Sequence, residues 1–381
     1  MISPPLICFS VTEEESAQLV ANGPRRDILM LAERCGGKIL YRRPGGLRQG
    51  LRARVFGPQL GHAWAAAAET ERGGKVFADG EHVGFPLAAF LAFRFKRNVQ
   101  LTVLGHYVTK RWKRYLLWIA TRCVARGTLV VHSQTQAEAV RKLLPLGWTV
   151  TLLPYQVDAS FWMGAAETQV RPLVVAAGSE HRDYQTLIDA VRDLDIDVCI
   201  ASGSHWARTQ AVGAELPPNV QFFTQTLPFA ALRDLYARAT VVVVPLFPVK
   251  NQSGITTVLE AMSMAKPVIV SATPGQTEAV TGGVFRAEGP AEPTNRGPQL
   301  LDLPRDPGET GIYVCPEDAE ALRRALNSVL QDPDRAQRMG VDARASVLRN
   351  FTVEQFAERF AQVVLGIEDG PRSVIPEAAL L

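Results

Sequence analysis

The chain has 381 residues, more than one ordinary core accommodates and about right for two domains. Hydrophobic residues make up 47% and charged residues 21%, which excludes wholesale disorder, and a net charge of +3 is too small to point to nucleic acid. The five cysteines (Cys8, Cys35, Cys123, Cys199, Cys315) form no CxxC pair, so neither a zinc site nor a disulfide framework is expected.

Met1 to Ser10 has no basic segment and a very short apolar one, so no signal peptide is expected there. No apolar run reaches the roughly 18 residues a membrane span needs. The chain reads as cytoplasmic. The first strand, Leu6–Ser10, is short. From Lys38 onward, β-branched runs alternate with helical patterns. Strands are expected over Lys75–Ala78, Val99–Leu104, Thr128–Val131 and Thr149–Leu153, with helices over Gly61–Arg72, Pro86–Phe95, Lys110–Arg126 and Gln134–Leu144. The pattern restarts with strands at Leu173–Ala177, Asp197–Ala201, Val220–Phe223, Val241–Val244 and Pro267–Val270, and helices at Tyr184–Arg192, Leu232–Arg238 and Ile255–Met264. Residues Phe285 to Gly308 read as an inserted loop, and Glu317–Leu330 and Val353–Val364 as amphipathic helices.

Two such series predict an α/β protein of two Rossmann-like domains facing across a cleft, with parallel sheets and ligands at the carboxyl ends of the strands. The join falls near residues 158–170. The expected division is 1–165, 166–350, a helix over 351–365 packing back towards the first domain, and a tail over 366–381.

The most informative segment runs from Asn251 to Val270, NQSGITTVLEAMSMAKPVIV, after the strand Val241–Pro245. It reads as strand, loop, helix. Gly254 lets the backbone approach a ligand, and the open N–H groups at the helix start favour a diphosphate. Glu260, over one turn further on, can accept hydrogen bonds from a ribose diol. Here the chain resembles the retaining GT-B glycosyltransferases of family 4. Their signature is a Glu, seven residues, then a second Glu within LEAM-x-x-G-x-PVI. Glu260 is the second Glu, which the resemblance makes the ribose ligand. Gln252 stands in place of the first, which contacts the donor sugar in that family.

The stretch LVVAAGSEHRDYQTLIDA, Leu173 to Ala190, looks like the family's GR-x4-KG-x3-LI-x-A segment, whose Arg and Lys neutralise the diphosphate. Ser179 replaces the Arg, the loop is shorter, and Arg182 falls where the Lys would be. A surface ion pair with Asp183 or another carboxylate is the alternative for Arg182. A third match, Asp306 to Leu322, concerns architecture. The resemblance covers roughly 128–365 well and the first hundred residues poorly; the family's N-terminal glycine loop has no clear counterpart.

The resemblance implies a metal-independent glycosyltransferase with retention of configuration and no cofactor, a UDP- or GDP-linked sugar serving as substrate. His106, Arg182 and Gln252 are the catalytic candidates. Gly178, Arg182, Gln252, Ser253, Gly254, Ile255, Thr256 and Glu260 are the donor-binding candidates. His106 ends the strand Val99–Leu104 in a Gly-His pair, where the family places a sugar-contacting His; a structural or merely exposed His is the other reading. Asp79, Glu81 and His82 also end a strand, but a plain turn suits them better. Asp193, Asp195 and Asp197 show DxD spacing at a helix end and are a false positive for a metal site.

From His82 to Ala137 there is no Asp or Glu, while nine Lys or Arg occur with Phe93, Phe95, Trp112, Tyr115 and Trp118 among them. Such a surface suits an anionic membrane face or a lipid-linked, cell-envelope acceptor, reached through Lys110, Arg111, Lys113 and Arg114. A solvated helix face and a nucleic-acid patch are the alternatives, the patch the weakest. The rival function is a sugar-nucleotide-binding GT-B protein that has lost catalysis, supported by Gln252 and Ser179. A nicotinamide oxidoreductase would need GxGxxG after a strand, which neither half has.

Overall fold

The computed structural model describes residues 3–43, 51–164, 171–203, 216–276, 278–286 and 308–367, the first seven residues of the 51–164 stretch by backbone alone. The described residues form two compact units. Unit 1 draws on Met1–Ala21, Arg25–Pro154 and Val353–Leu381; unit 2 on Asn22–Pro24 and Tyr155–Thr352. The inserted loop and the tail expected from sequence lie largely outside the described residues.

In chain order, unit 1 runs β1 (Leu6–Phe9), α1 (Glu13–Ala21), α2 (Asp27–Cys35), β2 (Lys38–Tyr41), α3 (Leu51–Glu69), β3 (Lys75–Ala78), α4 (Glu81–Phe93), β4 (Gln100–Gly105), α5 (Arg111–Cys123), β5 (Arg126–Val131), α6 (Gln134–Arg141) and β6 (Trp148–Leu152). Unit 2 follows with β7 (Leu173–Ala177), α7 (Tyr184–Val191), β8 (Asp197–Ala201), β9 (Val220–Phe223), α8 (Phe229–Arg238), β10 (Val241–Val244), α9 (Ile255–Ser263), β11 (Val268–Ser271), β12 (Val284–Phe285), β13 (Gly311–Val314), α10 (Ala319–Leu330) and α11 (Pro333–Asn350). The last helix, α12 (Val353–Leu365), returns to unit 1.

Both sheets are parallel. The first has the order β2-β1-β3-β4-β5-β6 and the second β12-β13-β11-β10-β7-β8-β9. Four consecutive valines make β10, all buried, because a parallel strand covered on both faces is apolar throughout. Asp183, Asp318 and Asp332 cap α7, α10 and α11 by accepting backbone N–H groups. In the first sheet the chain reverses its direction of growth between β1 and β3, and in the second between β7 and β10, with β13 later inserting between β11 and β12. Such switch points open a crevice at the carboxyl ends of the two strands.

Several elements extend beyond their sequence limits. Helix α4 begins at Glu81, five residues earlier than expected, so Glu81 and His82 open a helix and do not form a plain turn. Helices α1, α2 and α11 were not among the expected elements. Helix α11 packs through small residues, Ala336, Gly340, Ala343 and Ser346, which carry little periodic signal. Helix α12 lays Phe356 and Phe360 into unit 1, with Phe360 edge-on to Phe77 at 4.8 Å.

The turn after α9 holds a departure from the family motif: Ala265 stands at its glycine. Its φ is +56°, in the left-handed region, and it closes the helix as Lys266 N–H bonds to Ala261 O at 3.0 Å. An alanine is strained there. Ala265→Gly is expected to raise unfolding stability by about 0.5–1 kcal/mol, read as a higher urea midpoint at constant slope.

Candidate functional site

The switch point of unit 2 brings together the loops after β7 and β10. They are zipped by backbone bonds from Asp183 N–H to Pro245 O at 3.0 Å and from Phe247 N–H to His181 O at 3.1 Å. Between them lies the guanidinium of Arg182, only 3% exposed. Its Nε donates to Ala177 O at 2.9 Å, its Nη1 to Glu180 O at 2.8 Å, and its Nη2 to Thr257 Oγ1 at 3.1 Å. Among the described residues no carboxylate forms an ion pair with it, so the surface pairing with Asp183 is not seen; Asp183 caps α7 instead.

Two glycines frame this cation. Gly178 has φ +93° and Gly254 φ +83°. A Cβ on Gly178 would lie 2.5 Å from Arg182 Nη2, and one on Gly254 2.7 Å from Val244 Cγ1 and 3.2 Å from Arg182 Nη1. Both positions therefore require glycine for backbone shape and for space. Gly254 is also the N-cap of α9, so a buried positive charge and a helix N-terminus converge at one place.

The loop before α9 is held from the other side by the segment after β11. Gly275 packs so closely that a Cβ would lie 1.9 Å from Asn251 O. Gln276 Nε2 donates to Ser253 O at 2.6 Å, and Gln252 Nε2 to Glu278 Oε2 at 2.9 Å. Ser253 is buried; its Oγ accepts from Asn251 Nδ2 at 2.8 Å and lies 3.0 Å from His181 Nδ1. Ile255 is buried with its N–H directed to Gln252 O at 3.3 Å, while Thr256 is exposed. Glu260, half-buried on α9, accepts from Tyr236 OH at 3.2 Å. Burial pushes its carboxyl up to about 8, against the lowering influence of Tyr236 and Arg182.

The switch point of unit 1 holds a second polar cluster. Asp79, at the end of β3, is 7% exposed. Its Oδ2 accepts from Ser10 N–H and Oγ–H, both at 2.7 Å, and its Oδ1 is buried without a partner among the described residues. His106, exposed at the end of β4, has Nε2 2.9 Å from Asp79 O. A carbonyl only accepts, so Nε2 carries a proton and donates it to Asp79 O. The His106 N–H donates to Glu81 Oε2 at 3.0 Å, and Gln136 Nε2 donates to His106 O at 3.1 Å. Burial pushes the Glu81 carboxyl up, but the bond from Lys113 and the nearby His106 hold it below its ordinary value. His82 folds its ring over the Gly80 backbone.

One sequence expectation changes here. Lys113 is 19% exposed and pairs with Glu81 at 2.5 Å, so it leaves the outward cationic set that Lys110, Arg111 and Arg114 retain. The DxD-like carboxylates Asp195 and Asp197 pair with Arg171, and among the described residues no cluster of His, Cys, Asp and Glu is arranged to hold a metal ion. Among the described helices none is long and apolar enough to cross a membrane. His181, Thr257, Tyr236 and Glu278 join this unit 2 cluster without a sequence signal; their neighbours there are 24 to 75 residues away in the chain.

Solved structures share this fold over almost the whole chain. A sucrose-phosphate synthase from Thermosynechococcus elongatus superposes with a TM-score of 0.67 at 18% identity, covering 96% of this chain and 99% of that one. An α,α-trehalose-phosphate synthase (UDP-forming) from Burkholderia vietnamiensis gives 0.64 at 10% identity, covering 96% and 98%. HepE from Anabaena, solved with UDP and glucose, gives 0.59 at 13% identity, covering 96% and 100%. The fold is that of the GT-B glycosyltransferases. Within it, residues 171–332 match the family described as "Glycosyl transferases group 1". A stretch of 74 residues is 35% identical to glycogen synthase of Mycobacterium tuberculosis (strain CDC 1551 / Oshkosh), and the same holds for strain H37Rv. The match spans 19% of this chain and 18% of the curated relatives' length.

Proposed function

We propose that the chain is a glycosyltransferase that binds a nucleotide-diphosphate sugar in unit 2 and transfers the sugar with retention of configuration. The observation that carries this reading is the buried Arg182 guanidinium, without a carboxylate partner among the described residues, framed by Gly178 and Gly254 at the start of α9. A buried unpaired charge is costly. An anion at this helix start offsets that cost and fills open N–H groups. A diphosphate is such an anion, and the resemblance makes Glu260, further along the same helix, the ribose ligand. Stabilising the departing diphosphate would then be the work of Arg182 and the α9 dipole, with no metal required. HepE was solved with UDP and with UDP-glucose, which makes a UDP-linked sugar the first donor to try, with GDP-linked sugars next.

Calorimetric titration with UDP and UDP-glucose tests the reading, followed by NMR of the anomeric proton in the released or transferred sugar. Binding with the donor's own configuration in the product is the expected result. Failure to bind any UDP- or GDP-sugar at millimolar concentration would sink it, whereas binding without turnover would favour the rival that has lost catalysis.

The acceptor belongs to unit 1 in this reading, through His106 and its surrounding polar cluster, with Asp79, Glu81 and His82 in support. A lipid-linked acceptor at the cytoplasmic face of an anionic membrane fits its surface. Trp112 and Tyr115 are 59% and 64% exposed on α5, Phe93 and Phe95 stand out at the end of α4, and Arg111, Arg114, Tyr115 and Trp118 line a groove of about 340 Å³. Interfacial aromatics beside cations are the pattern of a surface-bound helix. Replacing Lys110, Arg111 and Arg114 by alanine is expected to weaken binding to phosphatidylglycerol vesicles roughly tenfold or more, at about 1 kcal/mol per cation. Equal vesicle flotation of wild type and triple variant would return this face to plain solvation.

A further inference from the structure

Gln252 occupies a place where the resembling family has a carboxylate, and its partner explains how an amide can serve there. Its Nε2 lies 2.9 Å from Glu278 Oε2, and Glu278 is 2% exposed. An ionised carboxylate only accepts hydrogen bonds, so the amide NH₂ must face Glu278 and the carbonyl oxygen must face away. That oxygen, Oε1, is buried and has no hydrogen-bond partner among the described residues. A buried acceptor left without a donor costs about 1–3 kcal/mol and calls for an explanation in a native structure. The clasp that sets this geometry is rigid: Gly275 abuts the Asn251 carbonyl, and Gln276 holds Ser253 O.

We propose that Glu278 is a positioning residue for the donor sugar: it fixes the Gln252 amide so that Oε1 accepts from a sugar hydroxyl. The proposal rests on unit 2 being the donor site. Its chemistry is a relocation of charge. The negative group sits one hydrogen bond behind the contact atom, and the charge-assisted bond from Nε2 polarises the amide, making Oε1 a better acceptor. A hydroxyl-bearing sugar is the matching ligand. The two side chains are separated by 26 positions, and neither has this role by itself.

The test is a side-chain swap, with UDP, UDP-glucose, UDP-galactose, UDP-N-acetylglucosamine, GDP and GDP-mannose as probes. The ratio of affinities for the tightest sugar nucleotide and its free nucleotide reads the sugar contact; the nucleotide alone reads the rest of the site. Glu278→Gln is expected to lower that ratio about fivefold to tenfold, because an amide partner no longer dictates which way Gln252 faces. Gln252→Glu sets two carboxylates in hydrogen-bond range and is expected to lower the ratio further than Glu278→Gln, because like charges repel there. The double variant, Gln252→Glu with Glu278→Gln, restores a donor–acceptor pair and is expected to return within about threefold of wild type. Glu278→Asp, which keeps the charge on a shorter stem, should hold the ratio better than Glu278→Gln. A double variant no better than Gln252→Glu alone, or an unchanged ratio in Glu278→Gln, overturns the role of Glu278. A wild-type protein that binds none of the six probes overturns the donor-site reading, and this proposal with it.

Discussion

Arg182→Leu is expected to lower affinity for UDP at least about 100-fold, equivalent to roughly 2.7 kcal/mol. The guanidinium sits beneath both glycines that bring backbone close to a ligand, and its charge is the one the described site offers to a diphosphate there. Leucine removes that charge and leaves Ala177 O, Glu180 O and Thr257 Oγ1 without their donor. Each lost bond costs about 1 kcal/mol, and the loss is offset in part because a buried cation disappears. The melting temperature should therefore move by a few degrees and not collapse. Arg182→Lys keeps the charge, but one ammonium cannot span three acceptors in the guanidinium's planar arrangement. It is expected to fall between wild type and leucine. Calorimetric titration with UDP, with the melting curve as control, decides the matter; a folded leucine variant of unchanged affinity refutes the assignment of Arg182.

The second large effect concerns Glu260 and pH. With its carboxyl raised to about 8 by burial, Glu260 holds a proton at neutral pH in the ligand-free chain. A ribose diol offers two donors, which a carboxylate accepts better than a carboxylic acid does. Binding is then linked to proton release. UDP affinity is expected to rise with pH, at most tenfold per unit, and to level off above about 8. Glu260→Gln should flatten that profile, and Glu260→Ala should lower affinity about 100-fold or more. Stability moves the other way. The folded-state value lies above the unfolded one, so the folded chain binds the extra proton. The contribution is complete below the unfolded value of 4.5 and is lost as pH rises through about 8. Wild type should therefore lose melting temperature relative to Glu260→Gln between those pH values, by a difference on the order of a few kcal/mol. A wild-type affinity that is flat from pH 6 to 9 contradicts the linkage.

Much of unit 2 is legible in the chain itself. The strands Leu173–Ala177, Asp197–Ala201, Val220–Phe223 and Val241–Val244 fall where their β-branched runs place them. A strand buried on both faces has to be apolar throughout, and that leaves a strong local signal. Gly254 and Glu260 stand out because their spacing follows from one strand–loop–helix unit, and Arg182 because it falls in the loop of another. Unit 1 is less legible. Helix α1 carries three Glu in its first turn and little amphipathic contrast, and α4 is apolar almost all round, so its start at Glu81 has no boundary signal apart from Gly80.

From the sequence alone come the two series of alternating elements, the anion-favouring helix start at Gly254 and the positions of Glu260 and Gln252, because each depends on residues close along the chain. The tertiary structure alone decides which way the polar side chains face. It turns Arg182 beneath the loops, commits Lys113 to Glu81, and sets Glu278 against Gln252. The reason is physical: a long polar side chain is placed by the partners that satisfy its hydrogen bonds and charge once it is buried, and those partners are brought by sheet topology from distant segments of the chain.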